Sequence, residues 1–180
     1  MMSDTPHIRI RHTGYAGGKL WELLERARAE MQFALPISKF FEEYEVAWVD
    51  HRPIGFLSFI GFGARGALEL NKLYVLPDYR RRGIATRLIT SAQRWHLSLV
   101  KIAEDVAGRP MKSNVNVYLD SPNLTACKMY VKMGWLEERD GGFVAVPPAA
   151  IVVRVRHLDY VADEVAEGPW FPIWDMRRWN

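Results

Sequence analysis

Residues 73–85 read Leu-Tyr-Val-Leu-Pro-Asp-Tyr-Arg-Arg-Arg-Gly-Ile-Ala, an apolar strand that passes through a basic, glycine-containing turn into an amphipathic helix. A strand that feeds a helix so abruptly calls for a layered arrangement in which the helix packs back on a sheet. The helix start exposes unpaired backbone N–H groups and the positive end of the helix dipole. Gly83 and Ala85 are small enough for an anion to approach the backbone, and Arg80, Arg81 and Arg82 add charge. The stretch therefore predicts an anion cradle at the end of a strand. It is neither the nucleoside-triphosphate loop, which needs Gly-x-x-x-x-Gly-Lys-Ser/Thr, nor the dinucleotide fingerprint with three spaced glycines. A basic helix start on a solvated surface has the same local look, so the rest of the chain has to choose.

A second segment chooses. Asn123-x-x-Ala126-x-x-x-Tyr130-x-x-x-Gly134-Trp135 follows the strand-like run at residues 115–119. Ser121 suits a helix cap, Pro122 a first turn, and Gly134 the left-handed residue that ends a helix. Ala126, Tyr130 and Met133 fall on one face. Alone, that face is equally an ordinary core stripe. Together, Arg80-x-x-Gly83-x-Ala85 and the Asn123 to Trp135 segment resemble the two motifs of the GNAT superfamily, the acetyl-CoA-dependent N-acetyltransferases.

The remaining elements agree with that resemblance. A strand is expected at residues 7–11 and helices at 19–33 and 37–44, interrupted by Pro36. Strands at 45–49 and 54–60 flank a turn at 50–53, and a further strand at 67–76 leads to the cradle. A long helix at about 82–107, the strand at 115–119, the second-motif helix and strands at 135–138 and 151–157 complete the order. The fold class is thus α/β (α+β mixed sheet) in the order β-α-α-β-β-β-α-β-α-β-β, with a single domain over residues 1–158 and an aromatic-rich extension over 159–180. A chain of 180 residues suffices for one buried core, and 49% hydrophobic with 25% charged residues excludes a disordered protein. The net charge of +3 does not separate CoA phosphates from nucleic acid as a partner. The single cysteine, Cys127, excludes an intramolecular disulfide and reads as a buried small side chain. Residues 1–6 are polar and no apolar run approaches the roughly 18 residues of a membrane span, so a cytoplasmic protein without membrane contact is expected.

The resemblance implies acetyl-CoA as acetyl donor, with no metal. Leu73, Tyr74 and Val75 would form the pantetheine track, the backbone of Leu73 and Val75 pairing with its amides. Arg80 opens the pyrophosphate motif, and N–H groups of Arg81, Arg82, Gly83, Ile84, Ala85 and Thr86 would hold the phosphates. Asn123 would bond the pantetheine arm. Lys132 is a candidate for the 3′-phosphate, though a solvated helix lysine reads the same way. Attack of an amine on a thioester needs a base for the amine proton and benefits from an acid for the departing thiolate. Tyr130 falls where the family places its tyrosine near the CoA sulfur. Glu69, eleven residues before Arg80, lies where several members carry a glutamate, and is the candidate base. Strict alternation would set Glu69, Asn71, Leu73 and Val75 on one face, a count that a bulge would break. An exposed strand glutamate, or one paired with Lys72, is the competing reading; Asp120, Ser121 or a water chain are reserve bases.

The resemblance implies that the acceptor is a primary amine of a small molecule or a peptide. Phe33, Phe40, Phe41, Glu42, Glu43 and Tyr44 are candidate walls for it, against the alternative that the aromatics are core and the glutamates solvated. The tail, residues 169–180, holds three of the seven tryptophans and is expected to pack on its own domain or to form a homodimer. Base stacking by the same aromatics is disfavoured by the acidic Asp159, Asp163, Glu164 and Glu167 ahead of them, so nucleic acid is not the expected partner. The other functional class left open is a module of this fold that binds an acyl-CoA or modifies nucleic acid or aminoacyl-tRNA.

Overall fold

Strand formation begins where side chains alternate or are apolar on both faces. In the computed structural model, which describes residues 7–31, 42–61, 68–111, 115–119, 124–139, 142–145 and 149–153, two compact units form, Met1–Ser113 and Asn114–Asn180. In the first, β1 (Arg9–Thr13), α1 (Lys19–Met31), β2 (Glu43–Val49), β3 (Arg52–Ile60), β4 (Leu68–Val75) and α2 (Ile84–Ala107) follow in order. β1, β2, β3 and β4 form an antiparallel meander.

β3 lies inside this meander, and Ile54, Phe56, Leu57, Ser58 and Phe59 are all essentially inaccessible. Burial on both faces requires cover on both sides. One cover is α1, whose Leu20, Leu23, Leu24 and Ala27 recur at helical spacing and are buried. The other is α2, which buries Leu88, Ile89, Ala92, His96 and Val100 on one stripe. Trp95 of α2 packs edge-on against Phe59 and stacks on His12 of β1, while Tyr74 of β4 reaches Glu30 of α1 through its hydroxyl. The two helices thus take opposite faces.

Several expectations shift. Glu43 and Tyr44 open β2 instead of closing a helix, because Glu43 and Tyr44 pair with Phe59 and Ser58 across the ladder; residues 32–41 lie outside the described residues. The turn narrows to Asp50 and His51, both at positive φ, the conformation that matches a two-residue hairpin. Pro53 joins β3, tolerated where the register slips between Ala47 and Trp48. β1 sits two residues later than expected, and α2 starts at Ile84, after Gly83.

In the second unit, β5 (Val115–Leu119) pairs in parallel with β8 (Ala149–Val153). α3 (Leu124–Lys132) follows β5, and β6 (Leu136–Arg139) forms a hairpin with β7 (Gly142–Ala145), a strand absent from the sequence reading. The α/β class, with both antiparallel and parallel strand pairs, is as expected. Among the described residues, no helix is long and apolar enough to cross a membrane. The tail at residues 159–180 lies outside the described residues.

His96 is the buried titratable group that ties α2 to the end of β3. It has no exposed surface, and its Nδ1 lies 2.6 Å from the Gly61 carbonyl. Burial lowers its pKa, against a smaller opposing effect of that hydrogen bond. The unfolded chain therefore takes up a proton on this ring before the folded one does. Stability from His96 is present above the unfolded pKa near 6.5 and is lost as pH falls through the lower folded value. Chemical denaturation at pH 7.5 and 5.5 should show wild type losing about 1 kcal/mol more than His96→Gln, a comparison that also subtracts the opposite contribution of buried Glu45, whose pKa burial raises. Equal losses in the two proteins would remove His96 from the pH response.

Candidate functional site

The cradle is built by backbone conformation before charge. β4 ends at Val75, Leu76 donates to the Ile54 carbonyl at 2.8 Å, and a 3-10 turn, Pro77–Tyr79, carries the chain away from the sheet. Antiparallel pairing alternates inward and outward backbone groups. With Leu76 and Tyr74 facing β3, the peptide groups of Leu73 and Val75 turn to the opposite edge, the orientation that a strand-like ligand needs.

Arg80 is extended, Arg81 has φ 64° and Gly83 has φ 72°. A left-handed conformation is ordinary for glycine and costs an arginine about 1 kcal/mol. Such residues concentrate where function demands a particular backbone direction, and alternating hands of this kind turn successive N–H groups into one concavity. Gly83 caps α2 with no side-chain cap, and the first helical bond runs from the Arg87 N–H to the Gly83 carbonyl at 3.1 Å. The N–H groups of Ile84, Ala85 and Thr86 therefore precede the intrahelical ladder. A Cβ built on Gly83 meets nothing within 4 Å, so the side of the turn that it would face is open. Donors at a positive helix end fit a diphosphate.

The arginine side chains are largely committed elsewhere. Arg80 Nε donates to the Val75 carbonyl at 2.8 Å, its Nη2 meets Glu30, and its guanidinium lies 5.6 Å from the Tyr74 ring centroid. Arg82 Nη2 donates to the Asp78 carbonyl at 3.0 Å and stands over Tyr79. Arg81 is exposed. The sequence reading missed Glu30, which lies 50 residues from Arg80 and carries no local signal of the pairing.

Glu69 is buried at 8% exposure, which excludes the exposed strand glutamate. A bulge alters its direction. Lys72 pairs with Ser58 and Leu70 with Phe59, leaving Asn71 as the extra residue. Glu69 consequently shares a face with Lys72 and Tyr74, and Leu73 and Val75 with Leu70; the face expected from strict alternation is corrected accordingly. Beside the bulge, the nearly buried Glu42 accepts from Tyr44 Oη at 3.1 Å, Asn71 Nδ2 at 3.3 Å and Lys72 Nζ at 3.1 Å. Glu43 turns to the other face, where its carboxylate is 3.0 Å from His12 Nε2. The expected acceptor wall is thus divided between faces. Tyr44 is core at 4% exposure, and Phe33, Phe40 and Phe41 fall outside the described residues.

In the second unit Tyr130 is buried on α3, its ring stacked on Trp135 with centroids 5.8 Å apart. Gly134 has φ 73°, and bonds from the Trp135 N–H to the Tyr130 carbonyl and from the Gly134 N–H to the Val131 carbonyl close the helix as the sequence implied. Burial, then the nearby Cys127, pushes the phenol pKa well above its ordinary value, so the hydroxyl keeps its proton. Cys127 is buried and its thiol pKa is raised by burial, the state of a packing residue. Lys132 is exposed in the last turn of α3. Asp120, Ser121 and Asn123 lie outside the described residues.

The family model of the acetyltransferase (GNAT) domain matches residues 37–137. A comparison with curated proteins found no match in sequence. Among solved structures, aminoglycoside N-acetyltransferase AAC(6')-Iy in complex with CoA is similar at 20% identity and a TM-score of 0.55, over 77% of this chain and 95% of that one. The aminoglycoside acetyltransferase meta-AAC0020, from an uncultured soil metagenomic sample and in complex with sisomicin, is similar at 15% identity and a TM-score of 0.54, over 73% and 91%. These likenesses establish the fold. The family match covers more than half of the chain and includes β4, the arginine turn, α2, α3 and Gly134, and the protein is an acetyltransferase of the GNAT family.

Proposed function

We propose that the protein transfers the acetyl group of acetyl-CoA to a primary amine of a small molecule or peptide, by direct attack within a ternary complex. The observation that carries the donor assignment is the turn from Arg80 to Thr86, where a left-handed arginine and a left-handed glycine precede unbonded N–H groups at a helix start. The outward peptide groups of Leu73 and Val75 continue the same edge and suit the pantetheine amides. In AAC(6')-Iy the crystals held CoA, and that enzyme's name gives an amine acceptor.

In this reading Glu69 takes the proton from the attacking amine, directly or through water. The amine nitrogen forms a bond to the acetyl carbonyl carbon, the carbon to sulfur bond breaks, and Tyr130 gives its proton to the departing thiolate. The buried carboxylate on β4 is the chemical ground for the base, while the acid role of Tyr130 rests on its place in the motif and on a phenol that burial keeps protonated until the thiolate departs. Glu42 already holds Lys72, so the acidic stretch at the start of β2 supports a polar lining more than an open cation bed.

Gly83→Glu should abolish acetyl-CoA binding by bulk and charge, whereas Gly83→Ala, which meets open space and pays only for its left-handed backbone, should cost about 1 kcal/mol of stability. Calorimetric titration with CoA checks the first and chemical denaturation the second, and undiminished affinity in Gly83→Glu would sink the cradle. With an amine panel and thiol release from acetyl-CoA as readout, Glu69→Gln and Tyr130→Phe should each lower kcat on the order of 100-fold. Full rates in both would refute the acid and base assignments while leaving the donor site standing.

A further inference from the structure

Arg80 opens the pyrophosphate motif, and an exposed arginine beside a phosphate site invites the assumption that it grips the phosphate. Two of its donors are taken within the protein. Nε is held by the Val75 carbonyl, Nη2 by one oxygen of Glu30, and the guanidinium plane lies on Tyr74. The other Glu30 oxygen accepts from the Tyr74 hydroxyl at 2.6 Å. One carboxylate in the last turns of α1 therefore joins the end of β4 to the first residue of the cradle. The Tyr74 hydroxyl bond and then Arg80 hold the Glu30 carboxyl below its ordinary pKa, so it is ionised at neutral pH.

We propose that Glu30 is a positioning residue for the donor site: through Tyr74 and Arg80 it sets the entry of the chain into the cradle, and Arg80 serves as a strut instead of a phosphate ligand. The physical reason is geometric. Arg80 N–H caps the 3-10 turn on the Pro77 carbonyl at 3.1 Å, and the next residue is the left-handed Arg81. Anchoring the Arg80 side chain at two points fixes the peptide that Arg81 must turn from, so the strained residue and the N–H groups after it keep one direction. Arg80's charge is already balanced by Glu30, which leaves backbone donors, with Arg81 nearby, to meet the anion. This rests on the acetyl-CoA reading above and deepens its donor half.

A double-mutant cycle separates strut from ligand. CoA affinity would be measured by calorimetry for wild type, Glu30→Ala, Arg80→Ala and the double variant, with KM and kcat for acetyl-CoA and melting temperatures alongside. Each single change should weaken CoA about fivefold, the upper range for a networked surface ion pair, with kcat unaltered. The double variant should bind no worse than either single, and Arg80→Ala should keep the wild-type salt dependence of CoA affinity. If a variant unfolds, Glu30→Gln and Tyr74→Phe replace it, with the same KM increase expected. Wild-type affinity in Glu30→Ala, a further fivefold loss on removing Arg80 in that background, or a flattened salt dependence in Arg80→Ala would overturn the strut. Failure of the wild type to bind CoA would instead bring down the donor reading, and the strut with it.

Discussion

A diphosphate is bound well only where several donors already point at it, since donors that must be reoriented spend the interaction on ordering. In this protein the orientation is set by backbone at one place, the turn from β4 to α2. Arg81 and Gly83 adopt the left-handed conformation on either side of Arg82, and the start of α2 presents its unbonded N–H groups directly afterwards. The positive end of a helix running from Ile84 to Ala107 stands behind them.

That turn is only as fixed as its two anchors. On one side β4 is held by β3, whose residues are buried on both faces, so the strand end cannot shift without disturbing the core. On the other, α2 is fastened by the buried stripe through Leu88, Ala92 and His96, and by Arg87, which reaches the Ile8 carbonyl at 2.9 Å. The bulge at Asn71 adds a second consequence of the same strand. It turns Glu69 to the face of Lys72 and Tyr74, so the candidate base and the side chains of Leu73 and Val75 lie on opposite faces of β4.

What was legible in the sequence is what depends on near neighbours. The strand, basic turn and helix at residues 73–85, the strand at 115–119 and the glycine stop at Gly134 could all be seen because spacing and glycine placement carry them. Features set by distant partners could not. The direction of Glu69 depends on how Ser58 and Phe59 pair across the ladder, and the commitment of Arg80 depends on Glu30. Phe40, Phe41 and Tyr44 have helical spacing, yet Tyr44 belongs to a strand because Ser58 is its partner. Pro53 looked like a turn residue and is accommodated at a register slip, while the four residues of β7 were too few to register beside the glycines and prolines flanking them. Two of the three arginines, conspicuous in the sequence, bond carbonyls close by, Arg80 that of Val75 and Arg82 that of Asp78.

The central claim is that backbone N–H groups of this turn, more than its arginine side chains, hold the donor. Amide hydrogen exchange with and without CoA reads those groups directly. Protection on CoA binding should concentrate in residues 81–86 and in Leu73 and Val75, and should persist when Arg82 is replaced by alanine. Unchanged exchange across residues 81–86, with CoA bound and protection elsewhere, would contradict the account.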